Sequence, residues 1–431
     1  MAFSARKQQA LDMCKDFWIS GRGERFAEWG VPFVMGKREG YKLWDIDGHE
    51  VYDLHLNGGT YNLGHRNPEI LQRLKEGIEE QGLDIGNHHF PSEQRGILAK
   101  MLIDIAPGDD YSNVVFVNSG AEAIDLAIRT IRHATGKRKI VSFDVAYHGY
   151  GTTVTTQLGS QQSAQFFNCD APESDSVTIK WNDLEDAERV LSDPEVAGFI
   201  GECCPASAGF LIPDPGYLEG LYAICKKYDV PWIADEVQIG MGRSGNGQIW
   251  ACQGFGIEPD VLVTAKALGA GILPFGAIII KEKYAGWVKE KPWAWTSTTS
   301  GSELACYVAE KSLEIATRKE TLENVKQLSD FFGEGFAKIM EDEPFLSHVR
   351  QMGIIFGLVT AHPQGGMFLM KHLYENGLWA IVSSLDESVV QFKPGLLLEM
   401  EDAKKLLDIV KISLKQSREE AEESAGVISM Y

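Results

Sequence analysis

The chain is short of positive charge. Its 431 residues include 41 Lys and Arg against 61 Asp and Glu, which gives a formal net charge of −20. Binding to nucleic acid or to an anionic membrane surface needs clustered Lys and Arg, so the sequence predicts neither as a partner. The deficit does not exclude a small anionic ligand, which needs only a few local donors.

Paired cysteines and long apolar runs are also missing. The chain has 7 cysteines and no C-x-x-C motif, so we expect neither a disulfide framework nor a zinc cluster, and we predict no metal site. This usage of cysteine favours a reducing compartment, and we predict the cytoplasm. No run of about 18 apolar residues occurs, which predicts no membrane span. The charged N-terminus is not typical of a signal peptide.

The middle of the chain alternates short β-branched runs with amphipathic helical stretches. This order predicts a mainly parallel sheet that is covered by helices on both faces. The last strand candidate has no long helix before it, so it can run antiparallel. The strand candidates are 114–117, 140–143, 198–201, 232–234, 261–264 and 276–280.

The two ends of the chain differ from this middle part. Residues 1–64 contain a helix and a hairpin with Asp47-Gly48 at its turn. Residues 317–431 alternate helices with short strands. We therefore predict a large α/β domain over 65–316 and a smaller α+β domain built from 1–64 and 317–431.

Residues able to carry chemistry follow four of the predicted strands, where open α/β sheets bind their ligands. Ser119 and Gly120 open a helix, and they either hold an anion or simply cap that helix. Tyr147 can stack on a flat ligand or pack against the fold. Asp235 can hold a protonated ring nitrogen, cap a helix or form a salt bridge. Lys266 stands among small apolar residues, where it can act as an amine nucleophile or extend to a domain edge.

Together these features fit one cofactor, pyridoxal 5'-phosphate (PLP). PLP combines a phosphate, a flat pyridine ring whose protonated nitrogen withdraws electrons, and an aldehyde that takes up an amine. The string from Gly240 to Gly245 also matches the dinucleotide motif G-x-G-x-x-G. No long helix follows it, and Asp260 precedes a strand instead of ending one, so we do not predict a dinucleotide site.

From about Gly40 to Leu414 the sequence resembles the class III (ornithine/GABA-type) aminotransferases of PLP fold type I. The stretches that carry the resemblance are LWDIDGHEVYDL, GHRNPEI, NSGAEAIDLAIR, AYHGY, LIPDPGYLEGLYAICKKYDVPWIADEVQIGMGRSG and IEPDVLVTAKALGAGILPFGAIII. The resemblance implies a large domain with a mainly parallel seven-stranded sheet and a smaller α+β domain. It also implies a homodimer whose active sites are shared at the subunit interface.

The resemblance implies a role for each matching residue. Lys266 would form a Schiff base with PLP and move the proton on the substrate carbon. Asp235 would pair with the ring nitrogen, while Tyr147 and Val237 would cover the two faces of the ring. The other implied cofactor-binding residues are His148, Gln238 at the ring hydroxyl, Ser119, Gly120 and Ala121 at the phosphate, and Thr298 at the phosphate of the partner subunit.

The substrate half departs from the family pattern. Many members have an arginine that clamps an α-carboxylate where this chain has Gln391. Tyr150 stands where members that use 2-oxoglutarate often have another arginine. A neutral amide does not match the two oxygens of a carboxylate as a guanidinium does. The candidates for substrate contact are Arg22, Arg25, Tyr61, His88, His89, Tyr150 and Gln391.

These departures favour a substrate whose amine lies on a primary carbon. We predict a PLP-dependent aminotransferase that acts on a primary amine or ω-amino compound through Lys266. The first alternative is an ammonia- or phospho-lyase acting on a phosphorylated amino alcohol or a hydroxy-aminophosphonate. The next alternative is an aminomutase or an epimerase. A binding protein without activity is disfavoured, because such proteins usually lose the residues that match Lys266 or Asp235.

Overall fold

The computed structural model describes residues 3–86, 88–159, 161–245 and 247–428. Strands and helices are numbered along the chain. The strands are β1 Met35–Glu39, β2 Lys42–Asp45, β3 Glu50–Asp53, β4 Tyr111–Val117, β5 Lys139–Phe143, β6 Ser176–Ile179, β7 Val196–Gly201, β8 Trp232–Asp235, β9 Val261–Thr264, β10 Gly276–Lys281, β11 Leu346–Met352, β12 Ile355–Thr360, β13 Leu378–Trp379, β14 Ile381–Val382 and β15 Val389–Phe392. The helices are α1 Ala5–Phe17, α2 Ser20–Glu28, α3 Leu56–Gly59, α4 Pro68–Glu79, α5 Glu93–Asp104, α6 Gly120–Thr135, α7 Thr153–Gly159, α8 Gln161–Phe166, α9 Leu184–Leu191, α10 Tyr217–Lys227, α11 Gly286–Glu290, α12 Glu303–Thr317, α13 Lys319–Asp342, α14 Gly365–Glu375 and α15 Met400–Ile428.

A seven-stranded sheet in the order β4-β10-β9-β8-β7-β5-β6 forms the centre of the large domain. The pairs among β5 to β9 are parallel, and β10 runs antiparallel to both of its neighbours. The predicted mainly parallel sheet is confirmed, including the antiparallel strand at 276–280. Sequence reasoning missed β6, a four-residue edge strand in which two of the residues are Ser and Thr.

The central strands are buried on both faces. Strands β7, β8, β9 and β10 are buried along their whole length, which explains their nearly continuous apolar sequences. One face packs on α6, whose Ile124, Ile128 and Ile131 belong to one buried cluster with Ile233 of β8 and Val263 of β9. Burying each such side chain contributes roughly 1.5–3 kcal/mol. The adjacent ends of β8 and β9 are thereby held rigidly side by side.

Two four-stranded sheets are built from the ends of the chain. The first has the order β1-β2-β3-β13, and Leu378 of β13 pairs in parallel with Tyr52 of β3. Its β2–β3 hairpin turns at Gly48, where φ is +89°. The second sheet has the order β11-β12-β15-β14. Both ends of the chain thus meet in one sheet, while the domain bounds at 64/65 and 316/317 stay a prediction. Among the described helices, none is long and apolar enough to cross a membrane.

Four phenylalanines hold the second sheet on α13. Phe332 and Phe336 of α13 pack against Phe356 of β12 and Phe392 of β15, and all four side chains are fully buried. Their ring centroids lie 5.2 to 6.0 Å apart, at the spacing of favourable edge-on and offset contacts. This cluster fixes β15, the strand that carries Gln391.

We expect Phe356→Ala to lower the free energy of unfolding by about 3–5 kcal/mol, because it opens a cavity in a close-packed cluster. Urea unfolding followed by circular dichroism measures the change. The control is Phe166→Ala, since Phe166 is 79% exposed and such surface changes stay within about 0.5 kcal/mol. A loss at Phe356 no larger than that of the control would show that the cluster does not support the sheet.

Candidate active site

A cavity of about 490 Å³ opens at the carboxyl ends of the central strands. This edge is where parallel sheets present their loops to ligands. All but two of the predicted cofactor-binding residues line the cavity. Those that do are Gly120, Ala121, Tyr147, His148, Asp235, Val237, Gln238 and Lys266.

Lys266 follows β9 and begins a short 3₁₀ helix, Lys266–Gly269. Its φ of +45° lies in the left-handed region, which is costly for a side-chain-bearing residue and fixes the direction of the amine. Its Nζ lies 3.2 Å from Oε1 of Gln238. Burial lowers the pKa of Lys266, while the negative charges of Asp235 and Glu202 oppose that shift. A lysine with a lowered pKa is more often neutral and can therefore act as a nucleophile.

Asp235 ends β8 and is buried. One carboxylate oxygen, Oδ2, lies 2.7 Å from Nδ1 of His148, and Oδ1 accepts the backbone N–H of Val237 at 3.0 Å. The carboxylate thus has a fixed orientation at the cavity wall. A buried carboxylate held in this way suits a ligand that carries a protonated ring nitrogen.

The start of α6 forms a concave, glycine-lined wall beside this carboxylate. Gly120 is the first residue of α6, so its N–H and the next ones have no partner within the helix. A Cβ at Gly120 would lie 3.0 Å from Val237, and one at Gly149 would lie 2.8 Å from Ala121. Glycine at both positions allows Val237 and Ala121 to approach the backbone closely around the helix N-terminus.

These groups match the chemistry of PLP part by part. The N-terminus of α6 suits the phosphate, Asp235 suits the ring nitrogen, and Lys266 suits the aldehyde. Tyr147 and Val237, both at the cavity wall, are available to cover the ring. The roles of the individual residues stay predictions.

Ser119 and Thr298 are the two cofactor candidates that do not line the cavity. Ser119 caps α6, and its hydroxyl accepts the N–H of Glu122 at 3.2 Å. Thr298 is exposed on a loop that is tied to Asn118 by its neighbours Ser297 and Thr299, at 2.9 and 3.0 Å. This loop therefore lies beside the phosphate end of the site.

The structure brings Gln391 and Tyr150 to the cavity, but not the other candidates for substrate contact. Arg22 and Arg25 are exposed on α2, where Arg25 pairs with Glu28 at 3.6 Å. Tyr61 stacks on His65 instead, with ring centroids 3.9 Å apart. A substrate contact of these three residues stays a prediction, because none of them lines this cavity.

The adjacent His88 and His89 are exposed and lie outside the cavity. The ring of His89 contacts Trp293 edge-on, with centroids 5.7 Å apart. Among the described residues, no group of three or more His, Cys, Asp or Glu side chains could hold a metal ion.

Sequence reasoning missed three residues in or behind the cavity: His55, Glu202 and Lys393. Glu202 lines the cavity, and its Oε2 is buried without a hydrogen-bond partner among the described residues. Burial and the charge of Asp235 raise the pKa of Glu202 well above its ordinary value. The position of Glu202 at the end of β7, like that of Asp235 at the end of β8, could have marked it.

Comparisons with known proteins agree with this geometry. The sequence profile described as aminotransferase class-III matches residues 26–414. An uncharacterized aminotransferase of Archaeoglobus fulgidus is 37% identical over 399 residues, which cover 92% of each chain. The ornithine aminotransferase of Plasmodium chabaudi chabaudi is 28% identical and covers 89% of this chain and 92% of its own. The crystal structure of ornithine aminotransferase from Toxoplasma gondii ME49 is 23% identical, with a TM-score of 0.85 over 96% of both chains, and shows the shared fold.

We expect cofactor-free protein to capture added PLP faster as the pH rises, because only the neutral amine of Lys266 attacks the aldehyde. Since burial lowers the pKa of Lys266, the rate should reach half its maximum below the ordinary lysine value of about 10.4. Stopped-flow absorbance measures the rate, and Lys266→Ala serves as the control without covalent capture. A midpoint at or above the ordinary value would contradict the lowered pKa.

Proposed function

The chain belongs to the class III aminotransferase family and is a PLP-dependent aminotransferase, and from that membership we propose that it acts on a primary amine or ω-amino compound. The observation that carries the proposal is the neutral part of the cavity wall at the predicted substrate side. Gln391, Tyr150 and Ser207 line it, and none of the described lining residues is an arginine. Because carboxylates are bound most specifically by guanidinium forks, this wall favours an amine whose reacting carbon carries no carboxylate.

The chain's own residues support a transamination at this site. PLP, when bound, supplies an aldehyde that takes up the substrate amine and a ring that withdraws electrons. Lys266 Nζ would accept the proton of the amine-bearing carbon of the substrate. Asp235, oriented by His148 at 2.7 Å, would pair with the ring nitrogen of the bound cofactor. Gln238 limits the motion of Lys266 through their 3.2 Å contact.

Three further lining residues suit an uncharged carbon chain. Ile381 and Val382 present apolar side chains, and Ser384 adds a hydroxyl. A short alkyl segment can bury its surface there at a gain of about 0.8 kcal/mol per methylene group. Ornithine, after which the Plasmodium relative is named, carries such a terminal amine, in agreement with the ω-amino part of the proposal.

We further propose a homodimer with shared active sites. The loop of Thr298 supports it, because this exposed loop is tied to the start of α6 and stands next to exposed apolar side chains. Phe90 is 74% exposed and Trp293 69% exposed, which is costly in a monomer. A cytoplasmic location is part of the same proposal, supported by 7 cysteines that are all free thiols.

We expect the purified holoenzyme, mixed with unbranched primary amines or ω-amino acids, to lose the visible absorbance of its lysine-bound cofactor in a single turnover. An aldehyde product should appear in an amount equal to the enzyme, because the amine stays on the cofactor until an acceptor removes it. Absorbance and product analysis check this, with Lys266→Ala as the inactive control. Continuous release of ammonia or phosphate without an acceptor would refute the transaminase and indicate a lyase.

We expect Thr298→Ala to weaken retention of PLP by about tenfold or more, because one hydrogen bond to a charged phosphate is lost. Equilibrium dialysis of the holoenzyme measures retention, and sedimentation measures the oligomeric state. Thr296→Ala, on the same exposed stretch, is the matched control. If Thr298→Ala retains PLP like this control, the contact across the subunit interface is refuted.

A further inference from the structure

The side-chain amide of Gln391 is held at both ends. Its Nε2 donates to the carbonyl of Ala206 at 2.8 Å, and its Oε1 accepts from Nζ of Lys393, also at 2.8 Å. Residues two apart on an extended chain project to the same side, which places Lys393 beside Gln391 at the end of β15. These two contacts fix which end of the amide faces which neighbour.

Lys393 stands directly behind the wall of the cavity. Its side chain is fully buried, and its Nζ also lies 3.2 Å from Nδ1 of His55. His55 and Gln391 both line the cavity, so the same amine supports two lining side chains. Both of these contacts are made to neutral groups. Lys393 is thus a buried amine whose hydrogen-bond partners supply no negative charge.

The surroundings of Lys393 already contain several cationic side chains. Burial, with Arg243 and Lys266 nearby, lowers the pKa of Lys393 well below the ordinary lysine value. Asp53 has the opposite effect, but a weaker one. A guanidinium placed here would meet the charge of Arg243 in a region of low dielectric constant, and it would offer no acceptor to the Lys393 amine, which now donates to Oε1 of Gln391.

We propose that Lys393 excludes an arginine from position 391 and holds the Gln391 amide in place, so that the two residues together set the preference for amines without a carboxylate on the reacting carbon. An arginine at 391 would bring its guanidinium to the present site of the amide, beside Lys393 Nζ. The preference for such amines rests on the proposed function. The exclusion of arginine rests on the contacts of Lys393 and on the positive charge of Arg243 nearby.

The proposal makes Lys393 a positioning residue that acts through Gln391. Without its amine, Oε1 of Gln391 loses a buried partner and the amide is free to turn. We expect Lys393→Met to raise KM for the amine by about fivefold or more, with a smaller change in kcat, because the reacting groups are untouched. A kcat that falls more than KM rises would contradict the positioning role.

Succinate tests the exclusion of arginine, because it carries carboxylates but no amine and cannot react. Calorimetry would compare its binding to four holoenzymes: the unaltered protein, Q391R, K393M and the double variant Q391R/K393M. We expect the double variant to bind succinate at least tenfold more tightly than any of the others. The reason is that the guanidinium of an arginine at 391 can occupy the position of the amide, and bind a carboxylate, only when the lysine is removed. Equal binding by Q391R alone and by the double variant would overturn the proposal.

Thermal unfolding of the same proteins supplies a readout that needs no ligand. We expect Q391R to lower the unfolding midpoint and K393M to restore part of that loss, a coupling that a double-mutant cycle detects. Additive effects of the two substitutions would contradict the incompatibility of an arginine at 391 with Lys393.

The matched control is Lys281→Met, because Lys281 is a buried lysine of β10 that pairs with Asp110 at 3.0 Å and does not line the cavity. It should change stability without changing succinate binding or KM, and an equal gain in succinate binding would overturn the proposal. If the unaltered enzyme fails to convert amines while the double variant still gains succinate binding, the proposed substrate class is refuted and the exclusion of arginine is supported.

Discussion

The burial of a lysine amine opposite a buried carboxylate is the constraint on which the site depends. Lys266 follows β9 and Asp235 ends β8, and these adjacent parallel strands are buried along their whole length. Low polarity lowers the pKa of Lys266 and makes the charge of Asp235 effective over a longer distance. The parallel pairing of these two strands sets the geometry of the pair.

The two halves of the cavity are lined by different kinds of side chain. The cofactor half consists of charged or hydrogen-bonded groups attached to rigid elements, such as the start of α6 and the end of β8. The substrate half consists of neutral groups from β14 and β15, with Gln391 held by Ala206 and Lys393. The candidate cofactor-binding residues are therefore attached to the large sheet, while the proposed choice of substrate depends on residues of a smaller sheet.

Sequence reasoning worked best where a residue follows directly on a strongly apolar strand. Asp235 ends one such strand and Lys266 follows another, so their meeting at one edge is expected of parallel strands. It worked less well for residues that only tertiary contacts bring in. Arg22 and Tyr61 were substrate candidates, and the structure places both outside the cavity. Lys393 reaches the back of the cavity wall only through its tertiary contacts with Gln391 and His55, which no local sequence pattern indicates.

The sequence by itself indicated a mainly parallel sheet, left the strand at 276–280 able to run antiparallel and offered a set of groups that suits PLP, because local patterns of apolar residues mark where strands lie and end. The shortage of positive charge in the whole chain did not predict the site, where Arg243 lies close enough to lower the pKa of both Lys266 and Lys393. Only the tertiary structure decided that grouping. Residues far apart in the chain, such as His55 and Lys393, meet at 3.2 Å because the two ends of the chain pack together.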